Sequence, residues 1–201
     1  FWGPIDQFDA LKLLNQAHDA GFTTYDTADV YGNGRSEALL GRAFGERRKN
    51  ITIISKAGYL PGADGAQRLY DRQVQRHTPH YLRKACEMSL WRLEADYIDV
   101  YLLHDPPMEV IKKDVTWNAL RKLKEQGKIR YFGASVNTAG AIECIKQGAE
   151  VIETPFNLLS QLPRQELFPL ARKHKVGILA RSPFSSGRLF QKLKDAAILP
   201  Y

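Results

Sequence analysis

The chain has 201 residues, 44% of them hydrophobic, and a formal net charge of +7. That length suits one large domain, residues 1–201, with a sizeable core, and no apolar run approaches the ~18 residues of a membrane span. The basic residues lie scattered in helical segments (Arg47, Arg48, Lys49; Arg121, Lys122, Lys124; Arg172, Lys173, Lys175) without interleaved aromatics, which argues against a nucleic-acid surface and for a solvated one whose positive field favours an anionic cofactor or substrate. Cys86 and Cys144 have no partner spacing and are expected as core thiols in a reducing compartment, the cytoplasm. The start, Phe1-Trp2-Gly3-Pro4, is neither a basic n-region nor an apolar h-region, so no signal peptide is expected; Phe1 is an odd first residue and points to a cut terminus.

Residues 7–20 space apolar groups at helical intervals (Phe8, Leu11, Leu14; Ala10, Leu13, Ala17), with Asp6 to cap the start and Gly21 the end. His18 falls in this helix as a surface residue. Phe22 to Asp26 reads as a short strand ending in a carboxylate, and a polar turn leads from it to Tyr31. A second helix is expected over Ser36 to Phe44, capped by Ser36, and an apolar strand over Ile51 to Lys56. Roughly twenty polar residues follow, Ala57 to His77, a connection long enough to suggest function. Its Tyr59 and Tyr70 either line a pocket or pack the loop onto the body.

Thr78-Pro79 opens a helix, with Leu82, Ala85, Cys86, Ser89, Leu90 and Leu93 on its buried face. Ile98 to His104 is a strand, and alternation puts His104 on the face of Ile98, Val100 and Leu102. A helix over Asp114–Gln126, a strand over Ile129–Ser135, a helix over Thr138–Gln147 and a strand over Val151–Thr154 come next. Helix Gln165–His174, strand Gly177–Arg181 and one more short helical stretch close the pattern.

Strands and helices thus alternate throughout, which requires parallel strands and right-handed crossovers. An open doubly wound sheet should carry Gly-x-Gly-x-x-Gly at its first strand–helix turn. Here that turn reads Asp-Thr-Ala-Asp-Val-Tyr-Gly-Asn-Gly. A (β/α)8 barrel fits better, and such a barrel gathers its site at the C-terminal strand ends. An acid, a phenol, an amine and an imidazole near strand ends (Asp26, Tyr31, Lys56, His104) are more chemistry than packing requires.

The segments Gly21-Phe-Thr-Thr-Tyr-Asp-Thr-Ala-Asp-Val-Tyr-Gly, Ser36-Glu37-Ala38-Leu39-Leu40-Gly41, Ser55-Lys56, Asp96-Tyr-Ile-Asp-Val-Tyr-Leu-Leu-His104, Gly127-Lys-Ile-Arg-Tyr-Phe-Gly-Ala-Ser135, Phe156-Asn157-Leu158-Leu159 and Ser182-Pro183, in this order, resemble the aldo-keto reductases over nearly the whole chain. The resemblance implies a (β/α)8 TIM barrel of aldo-keto reductase type, of which about six βα units are in hand. It also implies a nicotinamide cofactor, NADP (NADPH) with NAD the other option, and metal-free reduction of a small-molecule aldehyde or ketone. Asp26, Tyr31, Lys56 and His104 match the catalytic tetrad.

The chemistry can be argued without the family. Hydride addition to a carbonyl leaves an oxyanion that must be protonated, and a phenol of pKa ~10 is a poor acid at neutral pH. An ammonium beside it lowers that pKa, which is the part of Lys56, with Asp26 holding the ammonium charged. His104 would hydrogen-bond the carbonyl. The alternative without the resemblance is a structural Asp26–Lys56 ion pair with a buried Tyr and His nearby.

By resemblance, Ser135 faces the nicotinamide carboxamide, Asn137 stands one residue off the usual Asn, and Glu153 occupies the place of a usual Gln. Arg181 stands where many members stack an aromatic, and Ser182 with the Phe184–Gly187 loop matches the stretch that approaches the pyrophosphate. The first strand, the eighth strand and helix, and the residues for the adenosine 2′-phosphate are not found, so a fragment is expected, with a naturally shortened protein as the alternative. Two other functions are carried: a cofactor-sensing or scaffold protein on the same fold, and a lyase using Lys56 as a Schiff-base amine.

Overall fold

The computed structural model describes residues 5–60 and 75–195. Tyr70, one of the two loop aromatics, lies outside them. In chain order the elements are α1 (Gln7–Asp19), β1 (Thr24–Asp26), α2 (Arg35–Phe44), β2 (Thr52–Ala57), α3 (Pro79–Leu93), β3 (Ile98–His104), α4 (Met108–Ile111), α5 (Asp114–Glu125), β4 (Ile129–Ser135), α6 (Thr138–Lys146), β5 (Val151–Pro155), α7 (Leu162–His174), β6 (Gly177–Arg181) and α8 (Arg188–Asp195), with 3-10 turns at Gly45–Asn50 and Ser185–Gly187. The strands form one sheet in the order β1-β2-β3-β4-β5-β6, every pair parallel.

Alternation along each strand sorts the side chains into two layers. On β3, Tyr101 and Leu103 point to the helices, while Val100 and Leu102 point to the concave side. The helix layer closes the larger core, which includes Leu82 and Cys86 of α3, Trp117 and Leu120 of α5, Cys144 and Ile145 of α6, and Leu167 of α7. Trp117 also donates its indole N–H to the Ile111 carbonyl at 2.6 Å, so the largest buried side chain keeps no unpaired polar atom. On the concave side a smaller cluster, Ile54, Val100 and Leu102 with Val151 and Leu179, fills the curl. The curl is visible in one contact. Lys56 on β2 lies three strand steps from Glu153 on β5, about 14 Å on a flat sheet, yet their charged groups are 3.2 Å apart.

Two glycines are required by close approach. A Cβ on Gly133 of β4 would fall 1.6 Å from the Val151 carbonyl oxygen of β5. One on Gly41 would fall 2.7 Å from the Leu93 carbonyl carbon, where α2 crosses the end of α3.

Several expectations are corrected. Ser36 does not cap α2. Gly34, at φ 87°, does, because the left-handed conformation lets the helix start a residue earlier. The Ser36 hydroxyl instead accepts from Thr27 at 2.8 Å. The apolar stripe of α1 is not buried as a stripe: Ala10 alone is buried and Phe8 is 76% exposed. This helix joins the body through α2, with Arg42 donating to Gln7. His18 is half-buried, its ring 5.7 Å from that of Phe44. Arg48 is not solvated but buried, for reasons given below. Both cysteines are buried free thiols. Among the described residues no helix is long and apolar enough to cross a membrane.

Candidate active site

Concave-side residues at the C-terminal strand ends make the site. Parallel register aligns them: Asp26 pairs with Ile54, Lys56 with Leu102, His104 with Ser135, and Ser135 with Glu153. Every strand except β4 therefore carries a titratable group at its C-terminal end or within two residues of it: Asp26, Lys56, His104, Glu153 and Arg181.

Lys56 is the centre. Its ammonium is buried and has three N–H donors. It contacts Asp26 Oδ1 at 2.5 Å and Oδ2 at 2.6 Å, and the Thr27 carbonyl at 3.0 Å. Burial pulls its pKa down, but Asp26 and then Glu153 outweigh that and leave it above the ordinary lysine value. Asp26 stands on edge strand β1 with 45% of its side chain exposed. Burial pushes its carboxyl up to about 6 against the pull of Lys56. That value lies below neutral pH, so there the carboxylate is the charged partner.

The turn after β1 presents Tyr31. Its ring centroid is 5.6 Å from the Lys56 nitrogen and 5.9 Å from the His104 ring, which meets it edge-on. Burial holds the phenol above its ordinary pKa, Lys56 draws it down, and Asp26 and Glu153 push it up. His104 is pushed down to about 3, first by burial and then by Lys56 and Arg181, so it is a neutral imidazole. Its Nδ1 is buried without a hydrogen bond. Tyr59 supplies the wall beyond it, ring centroids 4.8 Å apart, with its hydroxyl donating to Asp105 at 3.2 Å. Of the two readings left open for Tyr59, the structure shows packing: the loop aromatic rests on His104.

The remaining candidates divide. Ser135 donates to Glu153 Oε1 at 3.0 Å. Glu153 is 5% exposed, and its Oε2 has no hydrogen bond although Lys56 lies 3.2 Å away. The contact is an ion pair without donor alignment. Arg181 is half-buried with its Nε 3.9 Å from Glu153. Ser182, at φ 57°, gives its carbonyl to Asn157 Nδ2 at 2.8 Å. Asn157 so ties the end of β5 to the loop after β6. Ser185 and Ser186 are also left-handed, and with Ser160, Ser182 and Arg188 they line a cleft of about 380 Å³. Phe184 is exposed and stacks on Phe190, and Gly187 closes the turn at φ 85°. Asn137 does not join the cluster: it is exposed and caps α6, accepting from Gly140 N–H at 2.9 Å.

Sequence reasoning missed the support below Lys56. Glu37 on α2 is fully buried, accepting from Ser55 at 2.5 Å and from Arg92 at 2.6 Å. A glutamate inside an apolar helical stripe is the signal that would have found it. His77, buried beside Gly58 and pushed down to about 4 by burial, was also unforeseen, because it ends a loop with no periodicity.

A curled sheet of six parallel strands with alternating helices is part of a (β/α)8 barrel. The profile "Aldo/keto reductase family" matches residues 1–199. The chain belongs to that family. It is 36% identical over 190 residues to "Uncharacterized oxidoreductase YqkF" of Bacillus subtilis (strain 168), covering 94% of this chain and 60% of the relative. It is 32% identical over 191 residues to "Probable aldo-keto reductase 1" of Glycine max, covering 92% and 52%. Among solved structures, the holo form of aldo-keto reductase AKR11C1 from Bacillus halodurans superposes with a TM-score of 0.81 at 29% identity, covering 92% of this chain and 60% of that one. An aldo-keto reductase from Klebsiella pneumoniae in complex with NADP and acetate gives 0.71 at 27% identity, covering 91% and 61%. The chain thus spans 60% or less of the two curated relatives' length and corresponds to about six units of a (β/α)8 barrel.

Proposed function

We propose that this protein reduces an aldehyde or ketone to an alcohol with NADPH, NADH being the other candidate donor. One observation carries the reading: a buried ammonium, held by Asp26, lies 5.6 Å from the centre of the Tyr31 ring, beside an imidazole that is neutral at working pH. The residues fit a nicotinamide nucleotide. Glu153 Oε2 is a buried acceptor without a hydrogen bond, suited to an amide N–H donor, and Ser135 stands beside it. The cleft of Ser182, Ser185, Ser186 and Arg188 offers hydroxyls and a guanidinium to phosphate. Three serines there hold left-handed backbone, at about 1 kcal/mol or more each, a strain typical of ligand loops. When bound, the nicotinamide supplies the hydride.

Tyr31 gives its hydroxyl proton to the carbonyl oxygen as negative charge grows there. Lys56 stabilises the phenolate left behind, and Asp26 keeps Lys56 charged and aimed. Neutral His104 offers an N–H to the same oxygen, orienting the carbonyl without competing as an acid.

Tyr31→Phe removes the proton and keeps the ring. Turnover should fall by about 10²–10⁴-fold, with NADPH affinity, read by fluorescence quenching, nearly unchanged. Full residual turnover would defeat the role given to the phenol. A second reading, a weakened enzyme that senses the cofactor, rests on Glu153, whose charge opposes that of Lys56 at the phenol. It predicts NADPH binding with a raised melting temperature and no aldehyde turnover.

A further inference from the structure

Glu153 is given no task by this chemistry beyond accepting a hydrogen bond, yet it is a full charge in the middle of the site. Building on the proposed reductase site, we infer that Glu153 is a second counter-ion of Lys56, a positioning residue that governs proton transfer from Tyr31 by dividing one ammonium between two carboxylates.

The donor count comes first. The three N–H groups of Lys56 match three short contacts, two to Asp26 and one to the Thr27 carbonyl. Glu153 Oε2 sits 3.2 Å from the same nitrogen with no hydrogen bond. It acts on Lys56 through charge alone, and at 5% exposure water screens it little. Lys56 acts on Tyr31 in the same way, across 5.6 Å to the ring centroid. What the phenol feels is therefore the sum of the charges around it. Facing it are Asp26 from β1, Lys56 from β2, neutral His104 from β3, Glu153 from β5 and Arg181 from β6, with Tyr59 behind His104. The two carboxylates cancel the two cations. An amide in place of Glu153 would leave a net positive charge beside the phenol and favour the phenolate.

Arg181 fits the same account. Its Nε is buried without a hydrogen bond and lies 3.9 Å from Glu153 Oε1. It stands by one oxygen of Glu153 while Lys56 stands by the other, so the carboxylate has a cation at each oxygen. A merely structural Glu153 would serve as well as glutamine, which can keep the Ser135 hydrogen bond and the shape.

The test reads the phenol directly. With 3-fluorotyrosine in place of tyrosine, the ¹⁹F resonance of residue 31, assigned by its loss in Tyr31→Phe, is titrated in the whole protein. In Glu153→Gln the midpoint should fall by roughly 0.5–1.5 pH units. The basic limb of kcat/KM for carbonyl reduction should move with it. Glu153→Asp, which keeps the charge, should return the midpoint toward wild type. Arg181→Gln should raise it, and supplies an independent reading if the Gln variant folds poorly. An unmoved midpoint in a folded Glu153→Gln, or an equal shift in Glu153→Asp, overturns the inference. The titration needs no turnover. A shifted phenol without carbonyl reduction leaves charge sharing standing and removes the reductase reading, while carbonyl reduction with an unmoved phenol does the reverse.

Discussion

Two ionic clusters lie at opposite ends of the same strands and are built on opposite terms. At the N-terminal end, Asp99 accepts from Arg48 at 2.7 Å, from Arg130 at 3.0 Å and from the Ile53 N–H at 2.9 Å. Arg48 also reaches the carbonyls of Ile51 and Tyr97, and both guanidiniums stack on the Tyr97 ring, at 4.3 and 3.8 Å. Both oxygens of that carboxylate have donors. At the C-terminal end, Glu153 Oε2, His104 Nδ1 and Arg181 Nε are buried without hydrogen bonds. The N-terminal cluster saturates its carboxylate and leaves one buried N–H, Arg48 Nε, without a hydrogen bond, whereas the C-terminal one leaves a carboxylate oxygen, an imidazole nitrogen and a guanidinium N–H with bonding capacity for something that arrives. The same sheet thus separates the strand-clamping cluster from the proposed site along its strands.

The sharpest way to break the contrast is to exchange the phenotypes. Arg48→Ala takes from Asp99 the more buried of its two guanidinium partners and, with Arg130 still in place, should cost up to about 3–5 kcal/mol in urea unfolding, with turnover per folded molecule unchanged. Tyr31→Phe should do the reverse, abolishing turnover while unfolding free energy moves by less than about 1 kcal/mol. Similar stability losses in both variants would erase the distinction.

Acid should find the C-terminal end first. His104 and His77 are held neutral, at about 3 and about 4, against an ordinary value of 6.5. Below 6.5 the unfolded chain binds protons that the native state refuses. Their stability contribution is therefore full above pH 6.5 and is lost as pH falls toward those native values, by up to about 1.4 kcal/mol per pH unit for each. Asp26 and Asp29, pushed up to about 6 and about 8 chiefly by burial, bend the wild-type curve the other way over this range, so the reading is the difference between wild type and His104→Asn, which should shrink from pH 7 to pH 4.5 in urea unfolding. The smallest effect belongs to the rim of the other cluster. Arg130 is 55% exposed, and Arg130→Ala should cost no more than about 1 kcal/mol by the same measurement.

Much of this was legible in the chain. Strands Ile98–His104, Ile129–Ser135 and Gly177–Arg181 fall where the apolar runs placed them, because a strand of a parallel sheet is predominantly apolar, broken here only near its start by Asp99 and Arg130, and ends at a polar residue. The tetrad candidates were readable because each closes or follows such a run. Less was legible where burial depends on neighbours. Phe8 repeats at helical spacing but faces solvent, since spacing says which residues share a face and not what covers it. Arg48 reads as one of three basic residues in a row. Only the fold brings Asp99, 51 positions on, to its guanidinium.

By itself, the sequence determined the alternation of strand and helix, the parallel sheet that alternation demands, and which titratable residues end the strands, because these follow from local spacing and turn chemistry. The tertiary structure alone decided that Glu153 meets Lys56. Those residues sit three strands apart, and only the curl of the sheet, set by twist accumulated over every strand between them, carries the two charges to 3.2 Å.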